Sequence, residues 1–158
     1  MKELDERERR AWSGLLRMQD DLRRHISRQL MQDSGLSWAD FAVLFGLFQQ
    51  PDGRLRVFEL RDLLRWEKTR LIHQVSRMAT RGLIERQACQ DDSRGSVVAL
   101  TEAGREIIQA AAPRHLQDIR EVFFDVLSPR QLDVLADVAE AVLDNIDKKD
   151  GRESDLEE

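Results

Sequence analysis

Apolar residues recur at every third or fourth position through most of the chain, the period of an amphipathic helix. Leu15, Met18, Leu22, Ile26 and Leu30 form one such stripe, which predicts a first helix over residues 5–31. Ser34-Gly35 breaks it. Ser37 then reads as an N-cap, with Asp40 three residues on as an acidic variant of the capping box. Residues 38–49 are apolar around most of the circumference, through Phe41, Val43, Leu44, Phe45, Leu47 and Phe48, as in a helix buried on several sides. Pro51-Asp52-Gly53 is a turn in which Pro presets φ and Gly accepts a positive one.

Two short helices are expected next, over 57–64 and 68–81, separated only by Arg65-Trp66-Glu67 and closed by Gly82. Two β-prone runs follow, 83–89 and 96–100, joined by a polar loop with hairpin chemistry. Thr101 caps a long helix reaching about residue 126, with Ile108, Ala111, His115, Ile119, Val122 and Val126 on one stripe. Pro113 lies inside and should kink or split it. Ser128-Pro129-Arg130-Gln131 is a complete helix start. The last helix carries Leu132, Leu135, Ala139, Val142 and Ile146 with coiled-coil spacing. Residues 147–158 hold one apolar residue and are expected to be a disordered tail.

Composition narrows the function classes. At 158 residues with 41% hydrophobic and 35% charged, the chain is one domain's worth of globular protein. One cysteine excludes a disulfide framework or a multi-cysteine metal cluster, and three scattered histidines (His25, His73, His115) do not make a metal box. The start MKELDERERR, charged at eight of ten positions, has no signal-peptide pattern, and the longest nearly apolar stretch, 41–48, is far too short to span a bilayer. A soluble cytoplasmic protein without membrane association is the expectation. The net charge of −5 conceals an asymmetry. Residues 52–104 hold ten bases and eight acids, whereas residues 105–158 hold seven bases and fourteen acids. The middle third can therefore be locally electropositive, and salt limits the field to about 8 Å.

The helix expected at 68–81 decides the chemistry. Leu71, Val75, Met78 and Ala79 fall on its inward face, with Leu83 just beyond. Arg70, His73, Gln74, Arg77 and Arg81 fall on one continuous outward face that contains no acid, and Lys68 and Thr69 precede them on the first turn. Arginine and glutamine in such a row match the base edges of the DNA major groove. The first turn also offers free backbone N–H groups to a phosphate. A solvated basic face is the bland alternative, but surface helices usually mix signs. The hairpin just downstream presents Arg94 at its tip, placed to reach a neighbouring minor groove. Two short helices, a tight turn and a charged hairpin make a winged helix-turn-helix.

At this point the sequence resembles the MarR (multiple antibiotic resistance regulator) family of winged-helix transcription regulators, over about residues 12–146. The resemblance is carried by Leu60-x-x-Leu-Leu, by Leu71-x-x-x-Val-x-x-Met-Ala-x-Arg-Gly-Leu-Ile, and above all by Asp92-Ser93-Arg94-Gly95 followed by Val98-Ala99-Leu100-Thr101-Glu102-Ala103-Gly104. It implies a mainly α fold, a winged helix-turn-helix with long N- and C-terminal dimerisation helices, acting as a homodimer on a pseudo-palindromic operator in double-stranded DNA. The division implied is 1–50 and 105–147 for dimerisation, 52–104 for the DNA-binding lobe, and 148–158 for an acidic tail. The wing arginine enters the minor groove and the wing aspartate braces it, roles that fall on Arg94 and Asp92. Most such regulators are repressors released by a small, often aromatic or phenolic, ligand between the dimerisation helices and the lobe. Trp12, Leu16, Phe41, Phe45 and His115 would line that cleft. Glu67 puts an acid where a phosphate approaches, with favourable interaction at the helix N-terminus as its ordinary role.

Dimerisation has independent support, because the first and last helices carry apolar stripes outside the winged core, and a two-fold pair is the commonest way to cover them. Two recognition helices would then lie about 34 Å apart, one duplex turn. The expected DNA contacts are Lys68, Thr69, Arg70, His73, Gln74, Arg77 and Arg94. Cys89 is read as an ordinary strand residue, His25 and His115 as packed histidines, and Trp38 and Trp66 as packing anchors. Nothing nucleophilic or basic accompanies Asp91-Asp92, so no enzyme, cofactor or metal is expected. Two other readings stay open: a winged-helix adaptor that docks a protein, and an architectural DNA binder of low specificity.

Overall fold

Polar caps set where the helices begin. The computed structural model of the protein describes residues 3–88 and 96–154, and divides into two compact units, Met1–Asp118 and Ile119–Glu158. In the first unit Asp5 precedes α1 (Glu6–Ser34). Its carboxylate accepts from the Glu8 N–H, and the Glu8 carboxylate accepts from the Asp5 N–H, both at 2.8 Å. Gly35 ends α1 at φ 68°, a left-handed position where a side chain would be strained. Ser37 and Asp40 cap α2 (Trp38–Phe48) with the same reciprocal bonds.

After the Pro51–Gly53 turn, a short strand β1 (Arg54–Arg56) leads into α3 (Val57–Leu64). Arg65 turns the chain in the left-handed region (φ 51°), and α4 (Lys68–Thr80) follows. The hairpin strands are β2 (Ile84–Ala88) and β3 (Ser96–Leu100). They form an antiparallel sheet in the order β1-β3-β2, with Leu55 and Arg86 both opposite Val98. The strand β1 is an addition to the expected hairpin. It is three residues long with an arginine at each end, and the partner that makes it a strand lies more than forty residues away.

The helix α5 (Glu102–Ile119) starts at Thr101, whose hydroxyl accepts from the Gly104 N–H at 3.0 Å and donates to the Gly82 carbonyl at 2.6 Å. A Cβ on Gly104 would stand 1.9 Å from the Leu83 carbonyl oxygen. That contact explains the glycine of the Leu-Thr-x-x-Gly run. It lets α5 begin hard against the backbone that leaves α4. Pro113 does not split α5. The proline removes one backbone donor from an exposed turn, while buried Ile108 and Ala111 hold the helix to the core.

One apolar cluster organises this unit. It joins Leu30 of α1, Val43, Leu44 and Leu47 of α2, Leu60 of α3, Leu71, Val75 and Met78 of α4, Ile84 and Val98 of the sheet, and Ile108 and Ala111 of α5. Each fully buried leucine or isoleucine contributes about 1.5–3 kcal/mol, so α4 is held by one face and leaves the other outside.

In the second unit Arg120–Phe124 forms a π-helical turn, with the Asp125 N–H bonded to the Arg120 carbonyl at 2.9 Å. Ser128 and Gln131 cap α6 (Pro129–Ser154) reciprocally. The disordered tail expected from residue 147 is corrected: α6 continues to Ser154, and only residues 155–158 lie outside the described part of that end. Few apolar residues are needed for an exposed helix to continue, and Asp144 precedes Lys148 by four positions in the favourable order. The α6 residues Val134, Val138, Val142, Leu143 and Ile146 are exposed. No helix among the described residues is long and apolar enough to cross a membrane.

Candidate nucleic-acid interface

The fold leaves Lys68, Thr69, Arg70, His73 and Arg77 exposed on α4, and no acid stands in its first turn. Glu67 occupies the N-cap but its side chain makes no capping bond. The Arg70 guanidinium lies 4.2 Å from the centroid of the Trp66 ring, a cation–π contact that orients it at the start of the helix. Ser76 and Thr80 are also exposed, and the Thr80 hydroxyl donates to the Ser76 carbonyl. Arg94, Asp92 and Cys89 lie outside the described residues, although the strands on either side of that loop are described.

Gln74 departs from expectation. It is 3% exposed, not part of the outward face. Its Nε2 donates to Asp40 Oδ1 at 2.7 Å, and its Oε1 accepts from the Arg77 guanidinium. The physical reason is position: Gln74 is flanked by Leu71, Val75 and Met78, so it belongs to the edge of the buried stripe, and a polar group there needs partners. Arg81 is drawn aside as well, donating to Asp40 Oδ2 at 2.8 Å.

Asp40 is therefore the centre of a buried polar network that was read from sequence only as a cap. It is 4% exposed, and its Oδ2 also accepts from the Ser37 N–H at 3.0 Å. Burial alone would raise its carboxyl pKa. The bonds from Arg81 and Ser37, together with the Arg81 charge, outweigh burial and hold it below its ordinary value of 3.8. A signal was present in the sequence: Asp40 is the one charged residue in an otherwise apolar eleven-residue helix, and a buried charge demands a partner.

The five residues expected to line a ligand cleft do not come together. Phe41 stacks on Phe45 (centroids 5.5 Å apart) and meets His115 at 4.3 Å, with Trp38 at 5.7 Å from His115. Trp12 and Leu16 are 56% and 43% exposed on α1. From His25, which meets Asp118 of α5 at 3.1 Å, they lie about 20 and 14 Å back along the helix at 1.5 Å per residue. Helix rise is what separates them from the rings. The cleft beside His115, lined also by Leu30, Ser34, Arg114 and Asp118, measures ≈ 10 Å³, the space of about one water.

No protein-family model matches the chain, and no curated protein does. Among solved structures it is similar to AbsC, a MarR family transcriptional regulator from Streptomyces coelicolor, with 29% identity and a TM-score of 0.87 over 92% of this chain and 98% of that one. Sco3205, a MarR family regulator from the same organism solved in complex with DNA, shares 30% identity with a TM-score of 0.86 over 92% and 91%. BpsR of Bordetella bronchiseptica, whose DNA binding is regulated by 6-hydroxynicotinic acid, shares the fold at 22% identity and a TM-score of 0.69 over 84% and 98%. With the α4 face, the three-stranded sheet and near-complete coverage in agreement, the chain belongs to the MarR family of winged helix-turn-helix transcriptional regulators.

Proposed function

We propose that the protein is a homodimeric repressor that reads a pseudo-palindromic operator with Lys68, Thr69, Arg70, His73 and Arg77 in the major groove and Arg94, braced by Asp92, in the minor groove. One observation carries the reading: the outer face of α4 is exposed and basic, without an acid in its first turn, inside a protein whose net charge is −5. The DNA complex of Sco3205 supports the same use of the fold. The helices of 1–50 and 105–147 serve dimerisation, and 52–104 is the DNA-binding lobe. Trp12, Leu15 and Leu16 are exposed on α1, and Val138 and Val142 are exposed on α6; each helix offers apolar surface that a second copy would cover.

Relief by a small aromatic ligand is part of the proposal, supported by the rings of Phe41, Phe45 and His115 and by the regulation of BpsR. The cleft that His115 shares with Leu30, Ser34 and Asp118 measures ≈ 10 Å³, too small to hold such a ligand as it stands.

The test is binding to a duplex that the protein itself enriches from a random-sequence pool, titrated with salt. A steep negative slope of log affinity against log salt is expected. Arg77→Ala should cost about 1–3 kcal/mol and shallow the slope by about one. A flat salt dependence, or wild-type affinity in both Arg70→Ala and Arg77→Ala, would refute the assignment. Affinity equal for enriched and random duplexes would favour the architectural reading.

A further inference from the structure

Gln74 lies where an adenine-reading amide would be sought, on the recognition helix between His73 and Arg77, yet both ends of its carboxamide are already engaged. Nε2 is held by Asp40 Oδ1 at 2.7 Å, and Oε1 receives the Arg77 guanidinium. The residue is 3% exposed and Asp40 is 4% exposed, so neither can be freed for a base without leaving a buried polar atom unpaired. Asp40 in turn is fixed by the Ser37 N–H and by Arg81. A chain of hydrogen bonds thus begins at the first turn of α2, crosses a buried carboxylate and amide, and emerges at an exposed arginine on α4.

We infer that Gln74 is a positioning residue, through which Asp40 on α2 sets the direction of Arg77 toward the phosphates that line the major groove. The inference rests on the DNA-binding reading above and adds to it a division of labour. Lys68, Thr69, Arg70 and His73 meet the duplex directly, Arg70 from its place over Trp66, whereas Arg77 arrives pre-aimed by a residue that touches no nucleotide.

A double-mutant cycle tests this on the full chain, with the duplex enriched by the wild-type protein. Gln74→Met keeps length and volume but removes both bonds. It should weaken binding about tenfold and shallow the salt slope by about one, as Arg77→Ala does. The double variant should bind no more weakly than Arg77→Ala alone, because the two residues act in series. A loss of preference at a single base pair with an unchanged slope would make Gln74 a direct reader and overturn the inference. Additive losses, or wild-type binding by Gln74→Met, would overturn it too. Thermal melting shows whether Gln74→Met folds. If it does not, the native protein carries the test: the Gln74 side-chain amide protons should exchange slowly and give no nuclear Overhauser contact to base protons in the complex, and such a contact would overturn the inference. A wild-type chain that enriches no duplex defeats the DNA-binding reading itself, which separates the two failures.

Discussion

His115 packs its ring 4.3 Å from that of Phe41 and 5.7 Å from that of Trp38, centroid to centroid. Burial there lowers its pKa below the ordinary 6.5, and the nearby Asp118 carboxylate restores part of the loss. A histidine held neutral in the native state takes up a proton more readily when unfolded. Stability is therefore full above about pH 6.5 and declines as pH falls from there through the lower native pKa. Asp40 acts in a lower window: its depressed pKa keeps its contribution intact at neutral pH, to be lost only below about pH 4. The urea midpoint should thus be lower at pH 5.5 than at pH 7.5, and His115→Phe should narrow the gap. A gap of the same size in the variant would assign the effect to other groups.

Among the elements, the junction of α4, β2 and α5 has the least room. Gly104→Ala would drive a methyl into the Leu83 carbonyl at 1.9 Å, so the start of α5 must move. The expected cost is about 1–3 kcal/mol, read as a lower chemical-denaturation midpoint; a variant as stable as the parent would mean that the junction is loose. This glycine stood out in the sequence only as part of the Leu-Thr-x-x-Gly run, whereas the Ser37–Asp40 and Ser128–Gln131 boxes were legible because each depends on residues within a turn of one another. The strand Arg54–Arg56 was not visible, since its partner β3 is remote in sequence. Gln74 was misjudged for a related reason. Its helical position borders the apolar stripe, and the deciding partner, Asp40, is 34 residues away. Local spacing gives a helix its faces but cannot say which tertiary neighbour claims a residue on the border. The helix α4 and most of its exposed basic face were legible; the network beneath them was not.

For the whole molecule the exposed apolar rows matter most. Val134, Val138 and Val142 recur every fourth residue along α6, each more than half exposed. A helix with such a stripe is ordinarily covered. Sedimentation should find the wild-type chain dimeric at micromolar concentration, and Val138→Glu with Val142→Glu should shift it toward monomer while sparing the far-ultraviolet helix signal. A monomeric wild type, or an unshifted variant, would rule out this surface as the dimer contact. When such a molecule approaches a polyanion, loss of side-chain freedom normally opposes association. Long cationic side chains lose up to about 2 kcal/mol of rotamer entropy on being fixed. Arg70, already laid over Trp66 at 4.2 Å, has surrendered part of that freedom before any encounter. Its indole platform therefore acts as a template, and the entropic penalty of capturing an anion there is smaller than for an untethered arginine.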